Sequence, residues 1–101
     1  MASEKPNIMA ASLLLCSIFT WLGNTEDARD TIGERVCFLS PKQHDELSKI
    51  DVSQKLEEKF ESVWRQVPRF LHLEGLKNAV RLDWFLRNCE HILEEVYHEC
   101  L

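Results

Sequence analysis

The sequence predicts an all-α fold, a small bundle of four to five helices joined by short loops. Apolar residues recur at spacings of three and four along most of the chain, which is the helical period. Strand-like alternation of β-branched residues is absent. The three prolines and three glycines fall where helix ends are expected. At 101 residues, the chain has the length of one domain with a modest core.

The first element is the uncharged run at residues 8–23, IMAASLLLCSIFTWLG. Leu14, Ile18 and Leu22 fall one turn apart, so the run predicts a buried core helix. Two alternatives remain open, a signal peptide or a membrane anchor, although a helix of this length spans only about 24 Å. The hydrocarbon layer is about 30 Å thick. The chain thus divides into a hydrophobic N-terminal helix, 1–23, and an α-helical domain, 24–101.

A short second helix is predicted after Gly23. Asn24 and Thr25 offer side-chain oxygens for its N-cap, and Gly33 is expected to end it. The clearest local signal follows at Ser40-Pro41-Lys42-Gln43, where the serine and glutamine have the spacing of a capping box. Proline at the first helical position is also typical of a helix start. A third helix is therefore expected from this point.

Two further helices complete the predicted bundle. Asp51 and Gln54 repeat the capping spacing, so a helix is expected to start at Val52 and to end by Pro68. The longest amphipathic helix is predicted over residues 76–101. Its apolar stripe consists of Leu82, Leu86, Cys89, Leu93, Val96 and Cys100.

The aromatic residues are expected to lie mainly in the core. This expectation includes Phe70. His72, two residues further along the chain, is expected to be partly buried. Trp84 is the exception, because it lies at the edge of the last helix's apolar stripe and is expected to be partly exposed. Exposed tryptophan is a residue type that often dominates protein interfaces.

Composition excludes several functions. The chain has 17 acidic and 12 basic residues and a net charge of −5, with no basic cluster to bind nucleic acid. No glycine-rich phosphate loop or nucleophile–base pair is present, so neither enzymatic activity nor a cofactor is expected. No metal site is expected either. Cys89 and His91 would lie about 200° apart around a helix and could not share an ion.

Cysteine usage favours a reducing compartment, and therefore a cytoplasmic protein. Cys16 lies within the apolar run, and its removal would leave an odd number of thiols. In the secreted alternative, Cys37 would pair with Cys89 or Cys100.

The expected function is that of a small, non-enzymatic protein-interaction or regulatory protein. Its partner would be another protein, bound by the outer side of the last helix at Trp84, Arg87, His91 and Glu95. One alternative is a secreted, cytokine-like or effector bundle that has lost residues 1–23. The other is a membrane-anchored regulator, with membrane contact only through residues 8–23.

Overall fold

The computed structural model describes residues 8–23 and 28–100, and it confirms the predicted all-α bundle. Within these residues the chain forms five α helices, one 3-10 turn and no strand. The helices are α1 Ile8–Leu22, α2 Arg29–Val36, α3 Pro41–Ser48, α4 Val52–Arg65 and α5 Leu76–Cys100. The 3-10 turn, Arg69–Leu71, lies between α4 and α5.

Helix α1 is the central element and contacts each of the other four helices. The predicted stripe is confirmed, because Leu14 and Ile18 are 0% exposed and Leu22 is 1% exposed. An apolar helix is stable in this position because its neighbours remove the face with Leu14, Ile18 and Leu22 from water. None of the helices in the described ranges has the length and apolar character that crossing a membrane requires.

Helix α2 differs from its prediction at Gly33. The expected end at this glycine is wrong, since the helix continues through it to Val36. Ile32 and Val36 are one turn apart and both buried. Their burial outweighs the helix penalty of glycine, about 1 kcal/mol. The predicted cap at residues 24–25 lies outside the described residues.

The predicted starts of α3 and α4 are confirmed by their caps. Ser40 Oγ accepts a hydrogen bond from the Gln43 amide at 3.2 Å, and Gln43 Oε1 accepts one from the Ser40 amide at 2.9 Å. Asp51 Oδ1 accepts from the Gln54 amide at 3.2 Å. These side chains satisfy amides that the first helical turn leaves without intrahelical partners.

One continuous core joins the helices, with Phe60 of α4 and Phe85 of α5 as its largest fully buried side chains. The expectation that Phe70 also lies in the core is wrong, because this side chain is 78% exposed. The backbone of Pro68 is extended, so the 3-10 turn that follows leaves the helical register of α4. Helical spacing therefore does not carry Phe70 onto the buried face.

His72 is also more exposed than expected. Its ring is nevertheless satisfied, because Nε2 donates a hydrogen bond to the carbonyl oxygen of Val67 at 2.9 Å. The ring also stacks on Trp64, with the two centroids 4.3 Å apart.

We expect Leu14→Ala to lower the free energy of unfolding by about 3 kcal/mol, because it leaves a cavity in the core. Leu13→Ala is the matched control on the same helix, and we expect it to change this energy by less than about 0.5 kcal/mol. The control side chain is 53% exposed, whereas Leu14 is fully buried. Urea denaturation of both variants makes the comparison. Equal effects would contradict the packing of α1 through the Leu14 face.

Candidate functional site

One carboxylate links three helices near the middle of the bundle. Glu57 of α4 accepts a hydrogen bond from Trp21 Nε1 of α1 at 2.6 Å. It also accepts bonds from Arg81 Nη2 of α5 at 3.1 and 3.3 Å. We call these three side chains the carboxylate hub. Burial alone would raise the pKa of Glu57, but the Trp21 hydrogen bond and the charges of Arg81 and Lys77 lower it overall.

Arg81 is held on the hub by aromatic rings as well as by Glu57. Its Cζ lies 5.4 Å from the centroid of Trp21 and 5.3 Å from that of Phe60, within the range of a cation–π interaction. The Arg81 Nε atom is buried without a hydrogen-bond partner in the described part of the chain. The guanidinium group instead has electrostatic contact with the ring faces of Trp21 and Phe60. These contacts fix the N-terminal half of α5 against α1 and α4.

Helix α5 is kinked at Asn88, whose φ of −123° and ψ of 15° are not helical. The side chain supplies the cause. Asn88 Nδ2 donates a hydrogen bond at 2.9 Å to the carbonyl oxygen of Trp84, the residue four positions earlier. In an uninterrupted helix that carbonyl would accept from the backbone amide of Asn88. A side chain inserted into the backbone ladder is a known cause of helix kinks.

Two cavities lie on either side of the kink. The larger, about 600 Å³, lies between α2 and α5, and the smaller, about 280 Å³, lies between α4 and α5. Asn88 and His91 line both cavities and so form the ridge that separates them. The other residues that line the larger cavity are Glu34, Arg35, Phe38, Leu86, Arg87, Cys89, Glu90 and Glu94. The others that line the smaller one are Lys59, Ser62, Val63, Trp84, Ile92 and Glu95.

The four site residues predicted from the sequence all line one or both of these cavities. Trp84, His91 and Glu95 line the smaller cavity, and Arg87 lines the larger one with His91. Together with Asn88, which the sequence analysis did not single out, they form what we call the α5 surface. Trp84 is half-buried as expected, because its ring packs against Phe60 with the centroids 5.5 Å apart.

Ion pairs order the rim of the smaller cavity. Lys59 Nζ lies 3.2 Å from Glu95 Oε2 and 2.8 Å from Glu99 Oε1, while His91 Nε2 lies 2.8 Å from Glu95 Oε1. The hydrogen bond to Glu99 raises the pKa of Lys59, and the hydrogen bond from Lys59 lowers the pKa of Glu95. Arg87 makes a separate pair with Asp83 at 3.0 Å, and both of these side chains are mostly exposed.

The cysteines are all free thiols, so Cys37 is not bonded to Cys89 or Cys100 in this structure. Cys37 is exposed, Cys100 is half-buried and Cys89 is buried. Burial raises the pKa of Cys89 to about 12, so its thiol keeps its proton at neutral pH and packs as a small apolar group. Across residues 8–23 and 28–100, no three His, Cys, Asp or Glu side chains are arranged to hold a metal ion.

A second exposed feature was missed from the sequence. Residues 67–73, which we call the apolar turn, expose Phe70 by 78%, Leu73 by 62% and Leu71 by 37%. Pro68 is the signal that could have revealed it, since proline ends a helical register and with it any argument from helical spacing. The kink at Asn88 also had a signal in the sequence, because an asparagine side chain can compete for backbone hydrogen bonds inside a helix.

Comparisons with protein-family models, with curated proteins and with solved structures found no match to this chain.

We expect Glu57→Gln to lower the free energy of unfolding at neutral pH by about 2 kcal/mol, because Arg81 loses its charged partner. It should also flatten the dependence of stability on pH. The folded-state pKa of Glu57 lies below 4.5, so its contribution is present above pH 4.5 and is lost as the pH falls through the folded value. Urea denaturation as a function of pH measures both effects.

The matched control is Glu58→Gln, on the next residue of α4. The side chain of Glu58 is exposed, and Gln54 Nε2 is its hydrogen-bond donor at 3.4 Å. This variant should keep the pH profile of the unmodified chain. If both variants flattened the profile equally, the effect would come from net charge and not from the carboxylate hub.

Proposed function

We propose that the protein is a non-enzymatic, protein-binding helical bundle whose contact surface is the α5 surface. The observation that carries this proposal lies at the kink of α5, where Asn88 and His91 line cavities on both sides of the longest helix. A partner's side chains would enter the cavities on both sides of the ridge. Recognition of a helix and its flanking grooves is a recurring mode of protein binding.

The composition of the larger cavity supports a protein partner. Its lining combines apolar side chains, Phe38, Leu86 and Cys89, with charged ones that include Arg35 and Arg87. Protein interfaces likewise combine apolar side chains with charged ones. A small-molecule site would instead enclose its ligand almost completely.

Arg87 is the side chain on this surface most suited to a partner. It is 77% exposed, and among the described residues its only ion pair is with Asp83, which is itself 63% exposed. An exposed pair of this kind contributes little to stability, so exchanging Asp83 for a partner's carboxylate costs little. Arginine is also among the residues that contribute most to binding energy at protein interfaces.

In this proposed function, α1 remains part of the folded protein. Leu14, Ile18 and Leu22 contribute to the common core, and Trp21 donates to the carboxylate hub. Loss of residues 1–23, as in the secreted alternative, would remove all four contributions at once. We further propose a reducing compartment such as the cytoplasm, because loss of Cys16 with residues 1–23 would leave an odd number of thiols in a secreted chain.

Photo-crosslinking from the α5 surface tests the proposal. A photoreactive amino acid replaces Glu90, an exposed residue that lines the larger cavity, and a second variant of the full chain carries it at Gln54, an exposed position on α4. We expect one protein to be captured from position 90 and not from position 54. The unmodified chain should compete for that product. A chain with Arg87→Glu and His91→Glu should compete at least about 10-fold less well, because it lacks the interface side chains.

Two results would contradict this function. The first is the same set of products from positions 90 and 54, which would mean that capture is nonspecific. The second is equal competition by the doubly substituted chain, provided that its unfolding curve matches that of the unmodified chain. In that case the partner would bind another part of the surface.

A further inference from the structure

The apolar turn is the most exposed hydrophobic segment in the described part of the α4–α5 region. Eight consecutive residues, 68–75, are exposed, and none of them lines either cavity beside α5. Three of them are the large apolar side chains Phe70, Leu71 and Leu73. A cluster of exposed apolar side chains often marks a site of contact with a protein or a membrane.

The turn is held in place by its own backbone. The amide of Leu71 donates to the carbonyl of Pro68 at 2.9 Å, and the amide of Leu73 donates to the carbonyl of Leu71 at 2.8 Å. At its base, the His72 ring is stacked on Trp64 as described above. Its apolar side chains are therefore presented by an ordered backbone, which reduces the conformational entropy lost on contact.

The charges around the turn differ in sign from those of the whole chain. Residues 65–74 contain the bases Arg65 and Arg69 and one acid, Glu74, whereas the whole chain has a net charge of −5. Lys77 adds no free charge here, because its Nζ lies 3.7 Å from Glu57 Oε1 and 3.9 Å from Glu61 Oε1. Arg65 and Arg69 are exposed and form no salt bridge within the described ranges. Charges more than about 10 Å away are largely screened at ordinary ionic strength, so the local balance decides what the turn attracts.

We propose that the apolar turn docks on an anionic membrane surface. Phe70 and Leu73 would enter the boundary between headgroups and acyl chains, and Arg65 and Arg69 would contact lipid phosphates. This inference does not rest on the proposed function, because it uses the end of α4 and not the α5 surface. From the sequence, membrane contact was expected only at residues 8–23, so the turn is a separate site.

Two features favour a membrane over a second copy of the chain. The turn is exposed over eight consecutive residues, and a soft interface can accept such a segment without a pre-formed groove. Two turns packed on each other would also bring the arginines of both copies together, which is unfavourable. With one small apolar segment and two arginines, the binding is expected to be weak and reversible.

Vesicle co-sedimentation of the full chain tests this inference. The probes are vesicles of phosphatidylcholine alone and vesicles with about 30% phosphatidylserine, whose surface is negative. We expect binding to the anionic vesicles only. Phe70→Ser with Leu73→Ser should abolish it, and Arg69→Glu should weaken it by at least about 5-fold, the effect of losing one basic contact. High salt, about 1 M, should also weaken it.

The matched controls change the same chemistry elsewhere on the surface. Leu13→Ser removes an apolar side chain that is 53% exposed on α1, and Lys42→Glu reverses an exposed charge on α3. Both should bind anionic vesicles as the unmodified chain does. Equal binding to both kinds of vesicle, or binding unchanged by the Phe70 and Leu73 substitutions, would overturn the inference. A concentration-dependent dimer that these two substitutions abolish would also overturn it, since a second copy would then cover the turn.

Discussion

The hydrogen bonds and ion pair of Glu57 are the interaction on which the rest of the structure depends. One carboxylate accepts from Trp21 of α1 and from Arg81 of α5 while belonging to α4 itself. A half-buried carboxylate is costly unless its oxygens are paired, and here the pairing comes from two other helices. The same charge therefore specifies how three helices meet. Apolar burial drives their association, but it would tolerate many alternative registers.

The kink at Asn88 follows from the way α5 is held at both ends. Its N-terminal half is fixed on the hub through Arg81, and its C-terminal half is tied to α4 by Lys59, which contacts Glu95 and Glu99. The same helix also packs on α2 and α3. We infer that a straight helix would not meet all of these contacts. Asn88 allows the bend because its side chain donates a hydrogen bond to the carbonyl oxygen of Trp84 within the helix.

Much of the fold could be predicted from the sequence because its signals are local. The caps at Ser40 and Asp51 act through residues three positions away, so a short stretch contains the whole interaction. Gly33 was misjudged because burial of its neighbours, a tertiary effect, overrode its local tendency. The site was only partly predictable for a similar reason. The last helix was predicted to be continuous, whereas the structure bends it at Asn88, a residue that lines both cavities.

The apolar turn and the α5 surface are connected by one continuous run of ring contacts. His72 stacks on Trp64 at 4.3 Å, Trp64 on Phe60 at 6.3 Å, and Phe60 contacts Trp84 at 5.5 Å. The backbone carbonyl of Trp84 is the acceptor that Asn88 uses at the kink. Because this run passes through the close-packed core, the two surfaces are held in a fixed relative geometry. A chain docked by its turn would consequently present the α5 surface in one orientation. A partner in the same membrane would then meet it at an increased effective concentration.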